Sequence, residues 1–146
     1  MNEKTLQWMA RNGYTPEELN FQGSYGNTAL MKAAREGDAG IVAELLAEGA
    51  DISLKNVDGN TALWLACFGE NPDVVAMLID AGIEIDTPNV NGVTSLMYAA
   101  SSGKESMVRM LLDAGADTTV KNPDDFTALE LAVTPKILKM LRNSAR

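Results

Sequence analysis

Gly59-Asn60-Thr61-Ala62-Leu63 is one of four related five-residue phrases that recur along the chain. The other three are Gly26-Asn27-Thr28-Ala29-Leu30, Gly92-Val93-Thr94-Ser95-Leu96 and Asp125-Phe126-Thr127-Ala128-Leu129. Each threonine follows the previous one by 33 residues. Because self-similarity at a fixed period is typical of chains that stack similar structural units, this repeat predicts the architecture of most of the protein.

Further landmarks keep the same register between the threonines. An alanine stands five residues after each threonine, and a glycine stands twenty-one residues after each of the first three, at Gly49, Gly82 and Gly115. Before each glycine, apolar residues are spaced three and four apart, as in Ile41, Val42, Leu45 and Leu46. That spacing places them on one face of a helix, so it predicts a second helix in each unit.

Each unit is therefore predicted to run helix, turn, helix, hairpin. The threonine is expected to cap the first helix by accepting backbone N–H groups, and the alanine-rich helix lets the neighbouring unit approach closely. The glycine is expected to end the second helix in the left-handed conformation. Asn and Gly residues within 56–59 and 89–92 then favour a tight reversal of the chain.

A 33-residue unit with a Gly-x-Thr-x-Leu opening and a Gly-Ala-Asp-like ending resembles the ankyrin repeat. The resemblance covers roughly residues 23–142. It implies an all-α repeat fold: an ankyrin-repeat solenoid of helix–turn–helix–hairpin units with helical end caps. The family's Thr-Pro-Leu-His phrase is replaced here by Thr28-Ala29-Leu30-Met31 and its equivalents, so apolar packing must replace the hydrogen bonds that such histidines support.

The whole chain, residues 1–146, is predicted to form a single ankyrin-repeat domain. It divides into an N-terminal helical cap at 1–22, repeats at 23–55, 56–88 and 89–121, and a truncated C-terminal repeat at 122–146. In the cap, Thr15 is expected to begin a helix, because a proline and a glutamate follow at the first and third helical positions. The last unit is shortened, since Pro135 lies three residues closer to its threonine than Pro72 does. The basic residues of its end are expected to face water: Lys136, Lys139, Arg142 and Arg146.

The composition is that of a globular protein, with 46% hydrophobic and 22% charged residues. No apolar stretch approaches the roughly 20 residues that a membrane span needs. The start of the chain has no secretory signal pattern. We therefore expect a soluble, cytoplasmic, monomeric protein without direct membrane insertion. Cys67 is the only cysteine, and its place in an alanine-rich helix predicts a small core residue.

The net charge of −8 is unevenly distributed. Six acidic residues and no Lys or Arg lie within 56–103, whereas the tail from Thr134 carries four bases and no acid. Direct binding of nucleic acid is not expected, because it requires a basic face that neutralises phosphates. A partner protein with a basic surface is electrostatically favoured.

The residues that usually carry chemistry are nearly missing from the sequence. There is no histidine and only one cysteine, so the commonest general base and a thiolate zinc site are both excluded. Gly103-Lys104-Glu105-Ser106 fails as a phosphate loop because Tyr98 stands where the first glycine is required. The Asn-rich turns at 56–59 and 89–92 lack the first ligand of a calcium loop. We expect no enzymatic activity, no cofactor and no metal site.

Recognition of another protein is the remaining function, and the ankyrin resemblance implies where it occurs. Contacts in that family come from the hairpins and from the exposed end of the first helix of each unit. Transferred by register, the candidate partner-binding residues are Tyr25, Asn27, Arg35, Val57, Asn60, Trp64, Phe68, Val90, Val93 and Phe126. Trp64 occupies the family's histidine position, where core packing and partner contact are equally expected, while Met31, Met97 and Tyr98 are expected to be structural.

Two functions are compatible with this predicted surface. The first is a non-catalytic adaptor or inhibitor that binds a partner protein on the hairpin and concave surface. The second is an assembly factor or chaperone-like subunit that holds a basic or membrane-bound protein during complex formation. Only the identity of the partner separates them, because both need the same contacts.

Overall fold

The computed structural model describes residues 1–144, which form helices, turns and hairpin loops, and no strand occurs among them. Arg146, predicted to face water, lies outside the described residues. The helices are α1 (Glu3–Arg11), α2 (Ala29–Glu36), α3 (Ala39–Ala47), α4 (Ala62–Phe68), α5 (Pro72–Asp80), α6 (Ser95–Ser101), α7 (Glu105–Asp113), α8 (Ala128–Leu131) and α9 (Pro135–Ser144). They belong to two compact units, Met1–Ile83 and a second one that begins at Glu84.

The first unit is built on α2 and α4, which pack against each other. The second helix of each pair covers them, α3 on α2 and α5 on α4. Small residues such as Ala33 and Ala66 are fully buried where α2 and α4 meet, as the alanine register predicts. Met31 and Cys67 are also buried, which confirms that both are core residues. The largest fully buried side chains of this unit are Met9, Leu30, Met31, Ile41, Leu45, Leu63 and Leu78.

The second unit repeats this packing with α6 and α8 side by side, α7 against α6, and α9 against α7 and α8. The first helix of its last repeat, α8, has only four residues, against seven in α4 and α6. This confirms the shortening read from Pro135. Lys136, Lys139 and Arg142 are exposed, as predicted for a terminal helix. The large side chains of its core are Leu96, Met97, Met107, Val108, Leu111, Ile137 and Leu141.

The second helix of each of the three complete repeats ends at the predicted glycine. Gly49 has a φ of 89°, its N–H donates to the Leu46 carbonyl at 3.0 Å, and the next N–H donates to the Leu45 carbonyl at 3.0 Å. This double closure satisfies carbonyl groups that would otherwise lack partners. The same bonds follow Gly82 and Gly115. A Cβ at these glycines would have no neighbouring atom within 4 Å, so space does not require glycine here. The positive φ angle does.

Thr28 and Thr94 cap their helices as predicted, Thr127 does so within a capping box, and Thr61 does not. The Thr28 hydroxyl accepts the Met31 N–H, and the Thr94 hydroxyl accepts the Met97 N–H, both at 3.2 Å. The Thr61 hydroxyl accepts no such bond within residues 1–144, so the prediction is wrong there. Thr127 caps α8 in a capping box with Glu130, to which it donates its N–H, at 3.0 Å, and its hydroxyl. A carboxylate is the stronger acceptor, and it orients that hydroxyl as a donor.

The N-terminal cap is the second half of a repeat. Asn2 caps α1 by accepting the Thr5 N–H at 2.9 Å, and α1 ends at Gly13, where the Tyr14 N–H donates to the Met9 carbonyl at 2.8 Å. This is the same ending as in α3, α5 and α7. The helix predicted to begin at Thr15 is a single 3₁₀ turn, Pro16–Glu18, without a side-chain cap.

Polar contacts hold α1 against the first repeat. The Thr5 hydroxyl and the Asn2 N–H both donate to Glu44, and the Trp8 indole N–H donates to Glu36 at 3.0 Å. The hydrogen bonds from the Thr5 hydroxyl and the Asn2 N–H hold the pKa of the Glu44 carboxyl below its usual value. The attachment of α1 therefore depends in part on the ionised carboxylate of Glu44.

Acid is expected to loosen α1. A depressed folded-state pKa contributes stability above the unfolded value of about 4.3, and this contribution is lost as the pH falls through the folded pKa. Trp8 fluorescence, measured in a Trp64→Phe background, should shift in that window below about pH 4. The shift should be smaller in Glu44→Gln. An identical titration in both proteins would show that Glu44 does not carry the attachment.

Glu70 occupies a position where the other complete repeats have glycine. Gly37 and Gly103 have left-handed φ angles of 78° and 72°, nine residues after their threonines, and Glu70 adopts a φ of 54° in the equivalent turn. A side chain with a Cβ is strained in this region. The left-handed backbone at Glu70 therefore lowers the stability of the second repeat.

Exchanging these residues is expected to change stability in opposite directions. Glu70→Gly should raise the free energy of unfolding by about 0.5–1 kcal/mol, because relief of strain outweighs the added freedom of the unfolded chain. Gly103→Ala should lower it by about 1 kcal/mol. The nearest atom to the new Cβ would be Val133 at 3.5 Å, so this variant tests φ alone. Urea unfolding measures the change in free energy for both variants. Two changes of the same sign would refute the inferred strain at Glu70.

Candidate functional site

Two hairpins and two helix ends form the candidate site in the first unit. Hairpin 1, residues 23–27, is closed by the Gly23 N–H to the Asn27 carbonyl at 2.8 Å. Hairpin 2, residues 56–60, is closed by the Asn56 N–H to the Asn60 carbonyl at 3.0 Å. Residues 89–93 close in the same way at 3.0 Å in the second unit. The predicted tight reversals at 56–59 and 89–92 are therefore confirmed.

Hydrogen bonds fix the two hairpins to each other. The Val57 N–H donates to the Tyr25 carbonyl at 2.9 Å, and the Asn56 amide donates to the Asn27 side chain at 3.0 Å. A Cβ on Gly26 would lie 3.0 Å from the Val57 nitrogen, so this approach requires glycine. The buried Tyr14 hydroxyl donates to the Asn27 carbonyl at 2.8 Å. The hairpin tips are thus held on a rigid base.

Tyr25 projects from this base in an unusual conformation. Its side chain is 77% exposed, although it is aromatic, and its φ is 58°. A bulky residue in the left-handed region is strained, and such strain concentrates at binding and switch sites. In the equivalent place of the next repeat, Asp58 does not adopt a left-handed φ. Of the two hairpins, only hairpin 1 carries this strain.

Three side chains from α2 and α4 stack in a layer beside the hairpins. The Arg35 guanidinium lies 4.9 Å from the centroid of the Phe68 ring, and Phe68 stacks on Trp64 with centroids 6.0 Å apart and an interplanar angle of 13°. Phe68 is 41% exposed and Trp64 is half buried. Trp64 therefore packs against Phe68 and is also partly exposed at the surface.

The hairpins and this layer enclose an open groove of about 460 Å³. Six of the ten predicted residues line it: Tyr25, Asn27, Arg35, Asn60, Trp64 and Phe68. Val57 is exposed next to it on hairpin 2 but is not part of its lining. Val90 and Phe126, both exposed, and the half-buried Val93 lie in the second unit.

Asn56, Asp58 and Leu65 also line the groove, and none of the three is among the ten predicted residues. Asn56 was interpreted only as a turn residue, and its side-chain oxygen does accept the Asp58 and Asn60 N–H groups at 3.0 Å. Leu65 stands four residues after its threonine, where the other complete repeats carry Lys32 and Tyr98. A lysine in that register is a signal of partial exposure that could have identified Leu65.

The groove offers binding chemistry. Its lining has one carboxylate, Asp58, one cation, Arg35, and otherwise aromatic, apolar and amide groups. Across residues 1–144, no group of three or more His, Cys, Asp or Glu side chains could hold a metal ion. Within the same residues, no helix has both the length and the apolar character to cross a membrane.

Comparison with known proteins gave one family. A family model described as ankyrin repeats (3 copies) matches the chain over residues 1–89, 30–122 and 85–145. No curated protein matched the chain significantly. The three matches together extend over nearly all of the sequence and include the N-terminal half-repeat.

Proposed function

We propose that this chain, which belongs to the ankyrin-repeat family, is a non-catalytic adaptor or inhibitor that holds a partner protein in the groove of the first unit. The family match confirms the resemblance drawn from the threonine phrases. Ankyrin repeats are generally protein–protein interaction modules and are typically non-catalytic. We also propose that the protein acts as a cytoplasmic monomer, which the single buried thiol of Cys67 supports.

The layer of Arg35, Phe68 and Trp64 is the observation that carries the proposal. Tryptophan, tyrosine and arginine dominate the energetics of protein interfaces, because large rigid groups gain most from losing water. Here they occur together beside Tyr25, exposed and already oriented. Folding alone does not account for an aromatic ring that is 77% exposed on a strained backbone.

A second candidate function is an assembly factor that holds a basic or membrane-bound protein. Charge favours it: residues 1–83 contain twelve acidic and five basic side chains, a net charge of −7. Asp58 adds a carboxylate to the groove itself. The two functions predict the same contacts and differ in what happens to the partner, which either loses activity or enters a larger complex.

Site-specific photo-cross-linking tests the groove. Benzoylphenylalanine in place of Phe68 should cross-link a discrete protein from the native lysate, identified by mass spectrometry. Phe21 is the matched control position, because it is similarly exposed at 47% but does not line the groove. Cross-linking only from position 21, or equally from both, would reject the groove as the contact surface.

Association with that partner should depend on salt. Six acidic residues without a base lie within 56–103, and steering by exposed charges is screened over about 10 Å at 0.1 M ionic strength. We expect the association rate constant to fall as salt rises while the dissociation rate constant changes little. Stopped-flow mixing measures both. A rate that is indifferent to salt would mean that the acidic stretch is only solvated surface.

A further inference from the structure

A second cleft lies in the other compact unit, between α7 and α9. It has a volume of about 390 Å³ and is lined by side chains of both helices, among them Arg109, Leu112, Lys136, Lys139 and Met140. A neighbouring depression of about 410 Å³ shares Arg109 and Lys136 with it. The two together follow the seam between the helices.

Helical spacing produces this cleft. On α9, residues 136, 139, 140 and 143 form one stripe beside the buried Ile137 and Leu141. On α7, residues 105, 109, 112 and 113 form the facing stripe beside the buried Met107, Val108 and Leu111. Leu112 and Met140 are half buried and provide an apolar floor.

The charge of the cleft is opposite to that of the chain. All three charged residues of α9 are basic, although acids outnumber bases 20 to 12 in the sequence. Lys136 lies in the first turn of α9, where the positive end of the helix dipole disfavours a cation. The helix dipole therefore does not explain this lysine, which pairs instead with Glu105 of α7.

Two of the cations are available for a ligand. Lys136 pairs with Glu105 at 3.5 Å, whereas Arg109 and Lys139 form no ion pair with any carboxylate of residues 1–144. Both are exposed at the rim of the apolar floor. Asp113 also lines the cleft, so carboxylates stand on both flanks of the cationic centre. These carboxylates limit an anionic ligand to the short cationic centre, which a short acidic segment fits better than a continuous phosphate backbone does.

We propose that the α7–α9 cleft is an interaction surface for an acidic peptide segment of a partner protein. Carboxylates of the segment pair with Arg109 and Lys139, and an apolar side chain between them contacts Leu112 and Met140. A ten-residue helix is about 15 Å long, which matches about four or five residues of extended peptide. This surface is separate from the groove of the first unit and does not depend on its function.

A labelled peptide of repeated Glu-Glu-Leu triplets tests the cleft by fluorescence anisotropy at low salt, with Gln-Gln-Leu and Lys-Lys-Leu peptides for comparison. The acidic peptide should bind best. The double variant Arg109→Gln with Lys139→Gln should weaken its binding by about tenfold or more, since charged hydrogen bonds are lost. Lys55→Gln with Lys121→Gln makes the same change of net charge elsewhere and should alter binding by less than about twofold. Arg109→Glu with Lys139→Glu should reverse the preference towards the basic peptide.

Equal weakening in both double variants would overturn the proposal, because it would reduce the effect to overall charge. So would failure of the acidic peptide to bind, tighter binding of a single-stranded oligonucleotide at the same residues, or salt-sensitive self-association that occupies the cleft with a second copy. Circular dichroism melting of each variant separates loss of binding from loss of folding. A variant that melts like the unaltered protein and has lost the peptide supports the cleft.

Discussion

Replacing Leu63 with alanine is expected to lower the free energy of unfolding by about 2–5 kcal/mol, the range for buried leucines. Leu63 is completely inaccessible in α4, the helix that packs on both α2 and α5. The truncation leaves a cavity among short, alanine-rich helices that have little freedom to collapse into it. Equilibrium urea unfolding measures the change through the midpoint of the transition.

Leu6 is the matched control, since it undergoes the same substitution on a helix surface. Its side chain is 39% exposed on α1, so Leu6→Ala should cost less than about 1 kcal/mol. Leu96→Ala, at the equivalent position of α6, should behave like Leu63→Ala. Similar costs at Leu6 and Leu63 would show that the assignment of the buried face is wrong.

Loss of Tyr25 and Phe68 together is expected to weaken binding of the partner cross-linked from the groove by at least about 2 kcal/mol, or about thirtyfold. Both rings are exposed and both line the groove, so Tyr25→Ala with Phe68→Ala removes contact area without emptying the core. The fold should lose the stacking of Phe68 on Trp64, worth about 0.5–1.5 kcal/mol, and the contact of Arg35 with Phe68, worth about 0.5–1 kcal/mol. Titration calorimetry and thermal melting measure the two effects separately.

Phe21→Ala serves as the control for that pair. Phe21 is exposed to a similar degree and contacts Tyr14 edge to face, with ring centroids 6.4 Å apart, but it lies outside the groove. Its loss should leave affinity unchanged. A double variant that melts far lower while its folded fraction binds normally would mean that Tyr25 and Phe68 stabilise the fold and that the partner binds elsewhere.

Most of the fold was predictable because it follows from a period. The spacing of apolar residues predicted the second helices, and the glycines after them predicted where those helices end. The position of Pro135 predicted the shortened last repeat. The threonine caps were less predictable, since a hydroxyl can accept or donate. The Thr127-x-x-Glu130 spacing is that of a capping box, but it does not show that the hydroxyl itself donates to Glu130. The strain at Glu70 could be predicted only by comparing it with Gly37 and Gly103.

The groove was partly predictable. Register placed Tyr25, Arg35 and Phe68 on hairpins and helix ends, and these residues do share one groove. Register alone gives no distances, so the stacking of Arg35 on Phe68 and of Phe68 on Trp64 emerged only from the coordinates. It also did not indicate that Asn56, a turn residue in sequence, would line the same space.

The way in which Tyr25 and Phe68 are held has a thermodynamic consequence for association. Immobilising a flexible side chain at an interface costs about 0.5–1.5 kcal/mol of entropy. The backbone of Tyr25 is already fixed by the Val57 N–H, and Phe68 is already placed between Arg35 and Trp64. Folding has ordered the Tyr25 backbone and the Phe68 ring before any partner arrives. Binding in the groove should therefore carry a small conformational entropy penalty on this side of the interface, leaving the partner to supply most of the ordering.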